Sequence, residues 1–132
     1  MAITQNSNRQ YELTAIVDFG YADLTDSVAD IALELPSDCI VTGGHIYISE
    51  VFNSTTSDVI SVGDTDDDNE YLSAQDVTSL GLTALVPTGV NLAAGKNITL
   101  LHVAGTADTA TTGAGQLVVR YIREGRSNEN QG

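Results

Sequence analysis

The chain has no tryptophan, one cysteine, one methionine, two prolines and a single lysine. A lone cysteine excludes an internal disulfide framework. Five basic residues stand against 18 acids, for a net charge of -13 at pH 7. A nucleic-acid-binding surface would have to oppose the field of the whole protein, so nucleic acid is not an expected partner. No run of about 18 apolar residues occurs, which excludes a membrane-spanning helix. The start, Met1-Ala2-Ile3-Thr4-Gln5-Asn6, lacks the basic and apolar regions of a secretory signal. The length of 132 residues fits one domain, large enough to bury about two-thirds of its unfolded surface.

What is present is alternation with a period of two. Tyr11, Leu13, Ala15, Val17 and Phe19 alternate with Glu12, Thr14, Ile16 and Asp18. A strand sends successive side chains to opposite faces, so this stretch has a buried and a wetter side. Ile31, Leu33 and Leu35 repeat the pattern until Pro36 stops it. Cys39 to Phe52 is strand-like with Gly43-Gly44 inside, a pair that signals a bulge or a close backbone approach. Further strands are predicted at Asp58 to Val62, Ile98 to Ala104 and Gly115 to Arg123, with weaker ones at Glu70 to Leu72 and Thr83 to Val86. Turn chemistry separates them: Asn53 to Ser57, Gly63-Asp64-Thr65, Pro87-Thr88-Gly89 and Gly105 to Gly113. Seven or eight short strands joined this way predict an all-β antiparallel sandwich, with a jelly roll as the favoured version.

One segment departs from the pattern. Ser73-Ala74-Gln75-Asp76 reads as a capping box, with Leu72 and Val77 as a hydrophobic staple and Gly81 at the stop. These signals predict one short helix around residues 74–80. The ends are polar, which divides the chain into an N-terminal arm (1–10), a single sandwich domain (11–126) and a C-terminal tail (127–132).

Catalytic and cofactor motifs are sparse. A P-loop ending at Lys96 would need Gly at position 90 and Ser or Thr at position 97, where Val90 and Asn97 stand. Cys39, His45 and His102 lack zinc-ligand spacing and meet only if the fold brings them together. Asp64, Asp66 and Asp68 have the alternate spacing that Ca²⁺ uses, but an EF-hand loop needs Gly and Glu where Asn69 and Gln75 occur. The competing account is a solvated turn whose Asp and Asn side chains bond the local backbone. Arg120, Arg123 and Arg126 gather three of the five cations. They either pair with carboxylates, inside the chain or across a subunit interface, or stand as solvated strand-end charges. No catalytic residue, cofactor or enzyme activity is predicted.

The order of segments is similar to a known group. Val41-Thr42-Gly43-Gly44 leads to Val51-Phe52-Asn53-Ser54-Thr55-Thr56-Ser57-Asp58, then Ile60-Ser61-Val62-Gly63-Asp64 and, after the acidic turn, Tyr71-Leu72-Ser73-Ala74. The series closes with Thr112-Gly113-Ala114-Gly115-Gln116-Leu117-Val118-Val119-Arg120-Tyr121-Ile122 and Gly125-Arg126. It resembles the small head decoration, or cement, proteins of tailed bacteriophages over about residues 40–126. The resemblance implies a jelly-roll-like sandwich on the outer surface of a virion capsid. It also implies a homotrimer that binds the major capsid protein and stabilises contacts between neighbouring subunits. The alternative is a virion fibre or tail-associated sandwich that binds a host glycan. Tyr11, Phe19, Tyr21, Tyr47, Phe52, Tyr71 and Tyr121 are the aromatics available for sugar stacking.

Overall fold

The alternating stretches form strands in the computed structural model, which describes residues 11–54, 56–92, 96–105 and 110–123. The proposed arm 1–10, the tail 127–132 and Arg126 lie outside the described residues. In chain order the strands are β1 (Leu13–Gly20), β2 (Ala29–Leu33), β3 (Cys39–Glu50), β4 (Asp58–Asp64), β5 (Leu72–Asp76), β6 (Gly81–Ala84), β7 (Asn91–Leu92), β8 (Ile98–Ala104) and β9 (Ala114–Arg123). The sole helical element among the described residues is one 3₁₀ turn, Tyr21–Asp23. No helix among them is long and apolar enough to cross a membrane.

Two antiparallel sheets pack face to face. The larger runs β1-β9-β3-β6, with β7 also on β3, and the smaller runs β2-β8-β4-β5. The pairs β1–β9, β2–β8, β3–β6 and β4–β5 therefore nest one inside the next and fall alternately in the two sheets. Between the sheets lie Phe19, Val41, Ile46, Ile48, Leu117 and Val119 from one side and Ile60, Val62, Ile98 and Leu100 from the other. Each such side chain, fully buried, contributes about 1.5–3 kcal/mol. Phe52, Tyr71, Val77 and Leu85, all outside the strands, close the ends of this core.

The Gly43-Gly44 pair sets the phase of β3. Before it, Cys39 and Val41 point inward; after it, Ile46 and Ile48 do. An odd-to-even change requires one extra residue, and the register shifts there, from Val41↔Tyr121 to Gly43↔Arg120. This bulge lets both halves of a twelve-residue strand face one core. Gly44 has φ +138°, and a Cβ there would come within 2.1 Å of the Val118 carbonyl oxygen. A side chain does not fit.

The helix predicted around residues 74–80 does not form: Leu72–Asp76 is the edge strand β5. Val59↔Asp76, Ile60↔Gln75 and Val62↔Leu72 pair it with β4, with a bulge opposite Ser61. The Ser61 hydroxyl accepts the Ala74 N–H at 2.9 Å, and Ala74 takes φ +50°. Asp76 does not complete a capping box. Its carboxylate accepts both the Thr78 N–H (2.8 Å) and the Thr78 hydroxyl (2.6 Å) in a turn that aims Val77 into the core. Two isolated helical turns are marginal in water, whereas the open edge of β4 offers partners for the backbone, so tertiary context overrides the local signal.

The turn generates a titration prediction. Hydrogen bonds from the Thr78 hydroxyl, and then from its N–H, hold the Asp76 carboxyl below the usual aspartate range. A depressed folded-state value contributes stability above the unfolded pKa and loses it as pH falls through the folded one. NMR titration is expected to give Asp76 a low midpoint, and Thr78→Val to move it upward. A second prediction concerns Tyr71, whose buried hydroxyl has no hydrogen-bond partner among the described residues and whose pKa is pushed up, first by burial and then by Asp64 and Glu70. Tyr71→Phe removes that unsatisfied group and keeps the ring, so stability in urea unfolding is expected to rise by about 1 kcal/mol.

Candidate functional site

The sequence-predicted residues occupy separate places in the sandwich. Asp64 ends β4 with its side chain buried, and Oδ1 accepts the N–H groups of Asp66 and Asp67, both at 2.9 Å. Asp66 pairs with Lys96 at 2.7 Å, and Asp68 is exposed. The hydrogen bond and charge of Asp66 hold Lys96 above the ordinary lysine range. The three aspartates thus serve a turn, an ion pair and solvent. Among the described residues no group of three or more His, Cys, Asp or Glu side chains is placed to hold a metal ion. Cys39 is buried on β3 of the larger sheet, whereas His102 lies in the smaller one.

Arg120 and Arg123 sit on β9 in the larger sheet. Arg120 lies over Gly43, where a Cβ would come within 2.5 Å of its guanidinium. Its Nε is 3.9 Å from Glu12, which also accepts the Thr42 hydroxyl at 2.6 Å. Both charged side chains are about half exposed, a setting in which pairs contribute at most about 1 kcal/mol. Arg123 donates from Nε to the Ser37 carbonyl at 3.2 Å.

Beside Arg120 the outer face of the larger sheet is partly apolar. One row across the strands is Ile16, Val118, His45 and Ala84; the next is Asp18, Gln116, Tyr47 and Leu82. Ile16 and Leu82 each keep 61% of their surface exposed and Tyr47 keeps 44%. An apolar stripe with a charged border suits contact with another protein.

One buried constellation was missed at the sequence level. Asp58 and His102 take the inward phase of the central strands β4 and β8, where the neighbouring inward residues are Ile60, Val62, Ile98 and Leu100. His102 Nε2 lies 2.6 Å from Asp58 Oδ1. Ser54 donates to the same carboxylate from its hydroxyl (2.7 Å) and its N–H (2.8 Å), and Phe52 packs on the imidazole at 5.0 Å. The available signal was phase: Asp58 alternates with Ile60 and Val62, and His102 with Ile98 and Leu100. The chemistry is structural. A hydrolytic relay needs the serine on the imidazole and the imidazole on the carboxylate. Here serine and histidine both bond the carboxylate, which anchors the β3–β4 connection to β8.

No protein-family model matches the chain, and no curated protein matches it. Solved structures share its fold. A chain of the "Cyanophage Pam1 capsid asymmetric unit" is 18% identical over 92% of this chain and 91% of its own, with a TM-score of 0.63. A chain of the "Acidic stable capsid structure of Helicobacter pylori bacteriophage KHP30" is 19% identical over 84% of this chain and 86% of its own, with a TM-score of 0.62.

The buried carboxylate yields a stability prediction. Asp58→Ala leaves His102 and the Ser54 donors without their acceptor, and a buried polar group left unsatisfied in this way costs about 1–3 kcal/mol. Equilibrium urea unfolding of the variant is expected to show that loss.

Proposed function

We propose that the chain is a non-enzymatic bacteriophage virion protein that decorates the outer surface of the head. In this reading it binds the major capsid protein as a homotrimer and stabilises contacts between capsid subunits. The observation that carries the proposal is a fold shared, end to end, with chains of two phage capsid structures. The nested strand order, read as a jelly roll, fits the sandwich that the resemblance to decoration proteins implies.

The physical character of the molecule suits the role. A sandwich with apolar side chains packed between its two sheets makes a rigid block, and the apolar stripe of Ile16, Tyr47 and Leu82 offers a face for a protein partner. Arg120 gives it a charged border, and Arg123 and Arg126 are proposed with it as interface residues. A trimer on a lattice binds through several sites at once, which raises avidity without tighter single contacts. The glycan alternative is less well supplied, because Phe19, Phe52 and Tyr71 are buried in the core.

Light scattering coupled to size-exclusion chromatography tests the reading, first with the protein alone and then after mixing with heads that lack it. The expected result is a species about three times the 13.9 kDa chain mass that co-elutes with heads and raises their melting temperature. Protein that ignores heads and attaches to cells instead would favour the glycan alternative.

A further inference from the structure

The two sheets turn different surfaces outward. On the smaller sheet the outward Gly63 of β4 lies under the acidic turn, where an added Cβ would run into the Asp67 carbonyl and the Asp68 backbone. Thr99, its partner on β8, is buried as a result. That sheet is therefore partly covered by the chain's own densest run of carboxylates. The larger sheet instead leaves apolar side chains, Ile16, Tyr47 and Leu82, facing outward and exposed.

Charge is distributed in the same sense. Of the 18 acids in the chain, two, Asp18 and Glu50, fall within the strands of the larger sheet. Residues 77–95, which contain β6, β7 and the connection between them, carry no charged side chain. β6 ends the sheet, with β3 as its strand neighbour among the described residues. Leu82, Ala84 and Val86 alternate outward there, while Leu85 between them enters the core. Leu80, Leu82 and Val86 keep 62%, 61% and 65% of their surface exposed. Soluble proteins blunt an open edge strand with charge or cover it, and this edge has no charge.

These observations select the partner. Two copies of a chain with net charge -13 repel where their acidic surfaces approach, and this face is where that repulsion is weakest. A partner recognised by opposite charge would find little here to hold. The charges the face does carry are of both signs: Arg120 lies in the row of Thr14, and Asp18 stands two rows on. A neighbouring copy can set its Asp18 against Arg120. The cores of protein interfaces are depleted of charge and enriched in aromatic side chains, and Tyr47 lies between Gln116 and Leu82 on this face.

We infer that the outer face of the larger sheet, from Ile16 across Tyr47 to the β6 edge, is the surface through which copies of this chain meet. The inference rests on the homotrimer of the decoration reading and names the face that its copies bury.

The test is sedimentation velocity of the full chain as wild type, two face variants and a control. Tyr47→Glu/Leu82→Glu puts two carboxylates on the apolar face, and Leu82→Ser is a milder, uncharged change at an exposed position. The control, Val28→Glu/Ile31→Glu, adds the same charge at exposed apolar side chains on and beside β2 of the smaller sheet. Thermal melting of all four checks that the fold is kept. A charge placed in an apolar contact has to be desolvated, so Tyr47→Glu/Leu82→Glu is expected to weaken association at least about tenfold. It then sediments as a single chain where the wild type is a trimer, and Leu82→Ser shows a smaller loss. The control is expected to stay within about twofold of the wild type. A folded double variant that associates like the wild type overturns the inference and leaves the homotrimer standing. An equal loss in the control also overturns it, because added charge anywhere would then explain the effect. Should the double variant unfold, Leu82→Ser decides, and association equal to the wild type overturns the inference. Wild-type protein that sediments as a single chain throughout overturns the trimer and this face with it. A wild-type trimer that ignores heads lacking the protein overturns the decoration reading and leaves the contact face in place.

Discussion

The β3–β9 ladder is the pairing on which the larger sheet depends. β3 carries β6, β7 and β9, while β1 joins the sheet only through β9. Losing that ladder would detach β1 and remove Leu117 and Val119 from the core together. Its strands come from distant parts of the chain, with Cys39 opposite Arg123 at one end and Glu50 opposite Ala114 at the other. The loop-closure entropy of so long a separation opposes the pairing, and the apolar burial it brings has to offset that cost. The bulge at Gly43-Gly44 makes the ladder compatible with one core. Without the extra residue, Ile46 and Ile48 would turn to the outer face, His45 and Tyr47 would turn inward, and the core would lose half of β3's apolar surface.

Much of this was legible in the residues. The alternation from Leu13 to Phe19 corresponds to β1, and the predicted Ile98 to Ala104 has the bounds of β8. The glycine pair was legible as a bulge because two residues without side chains inside a strand have few other uses. The segment after Tyr71 was not legible, for a specific reason. Ser73, Asp76 and Gly81 each carry a valid local helix signal, and only the edge of β4 competes with it. That edge lies on another part of the chain and leaves no mark in the window. β7 was missed too, since two residues, Asn91 and Leu92, give no period.

The polar side of the structure was harder to read than the apolar side. Alternation says that a residue at an inward phase is buried; it does not say which distant residue meets it. Asp58 and His102 stand 44 positions apart and touch only because β4 and β8 are neighbours in the smaller sheet. Asp64 shows the same limit at short range. Its spacing from Asp66 and Asp68 suits a cation, yet its buried carboxylate is directed at two turn amides. Spacing along the chain constrains what side chains can reach, and backbone donors with unmet hydrogen bonds then compete for them.

The distribution of charge links the fold to its surroundings. Among the described residues the inward-facing acids, Asp58 and Asp64, are bonded by imidazole, hydroxyl or backbone donors, so the interior is electrostatically settled. Outward acids such as Asp18, Asp23 and Asp76 accept hydrogen bonds from neutral donors, but few cations exist to meet them: among the described residues Lys96 pairs with Asp66 and Arg120 with Glu12. Unneutralised charge of one sign favours contact with a surface of the opposite sign. The features left facing outward are the apolar stripe of the larger sheet and the open edges of β1 and β2. A partner that covers the stripe would combine apolar contact with the charge of Arg120 at its border, which is the combination that separates a specific interface from general electrostatic attraction.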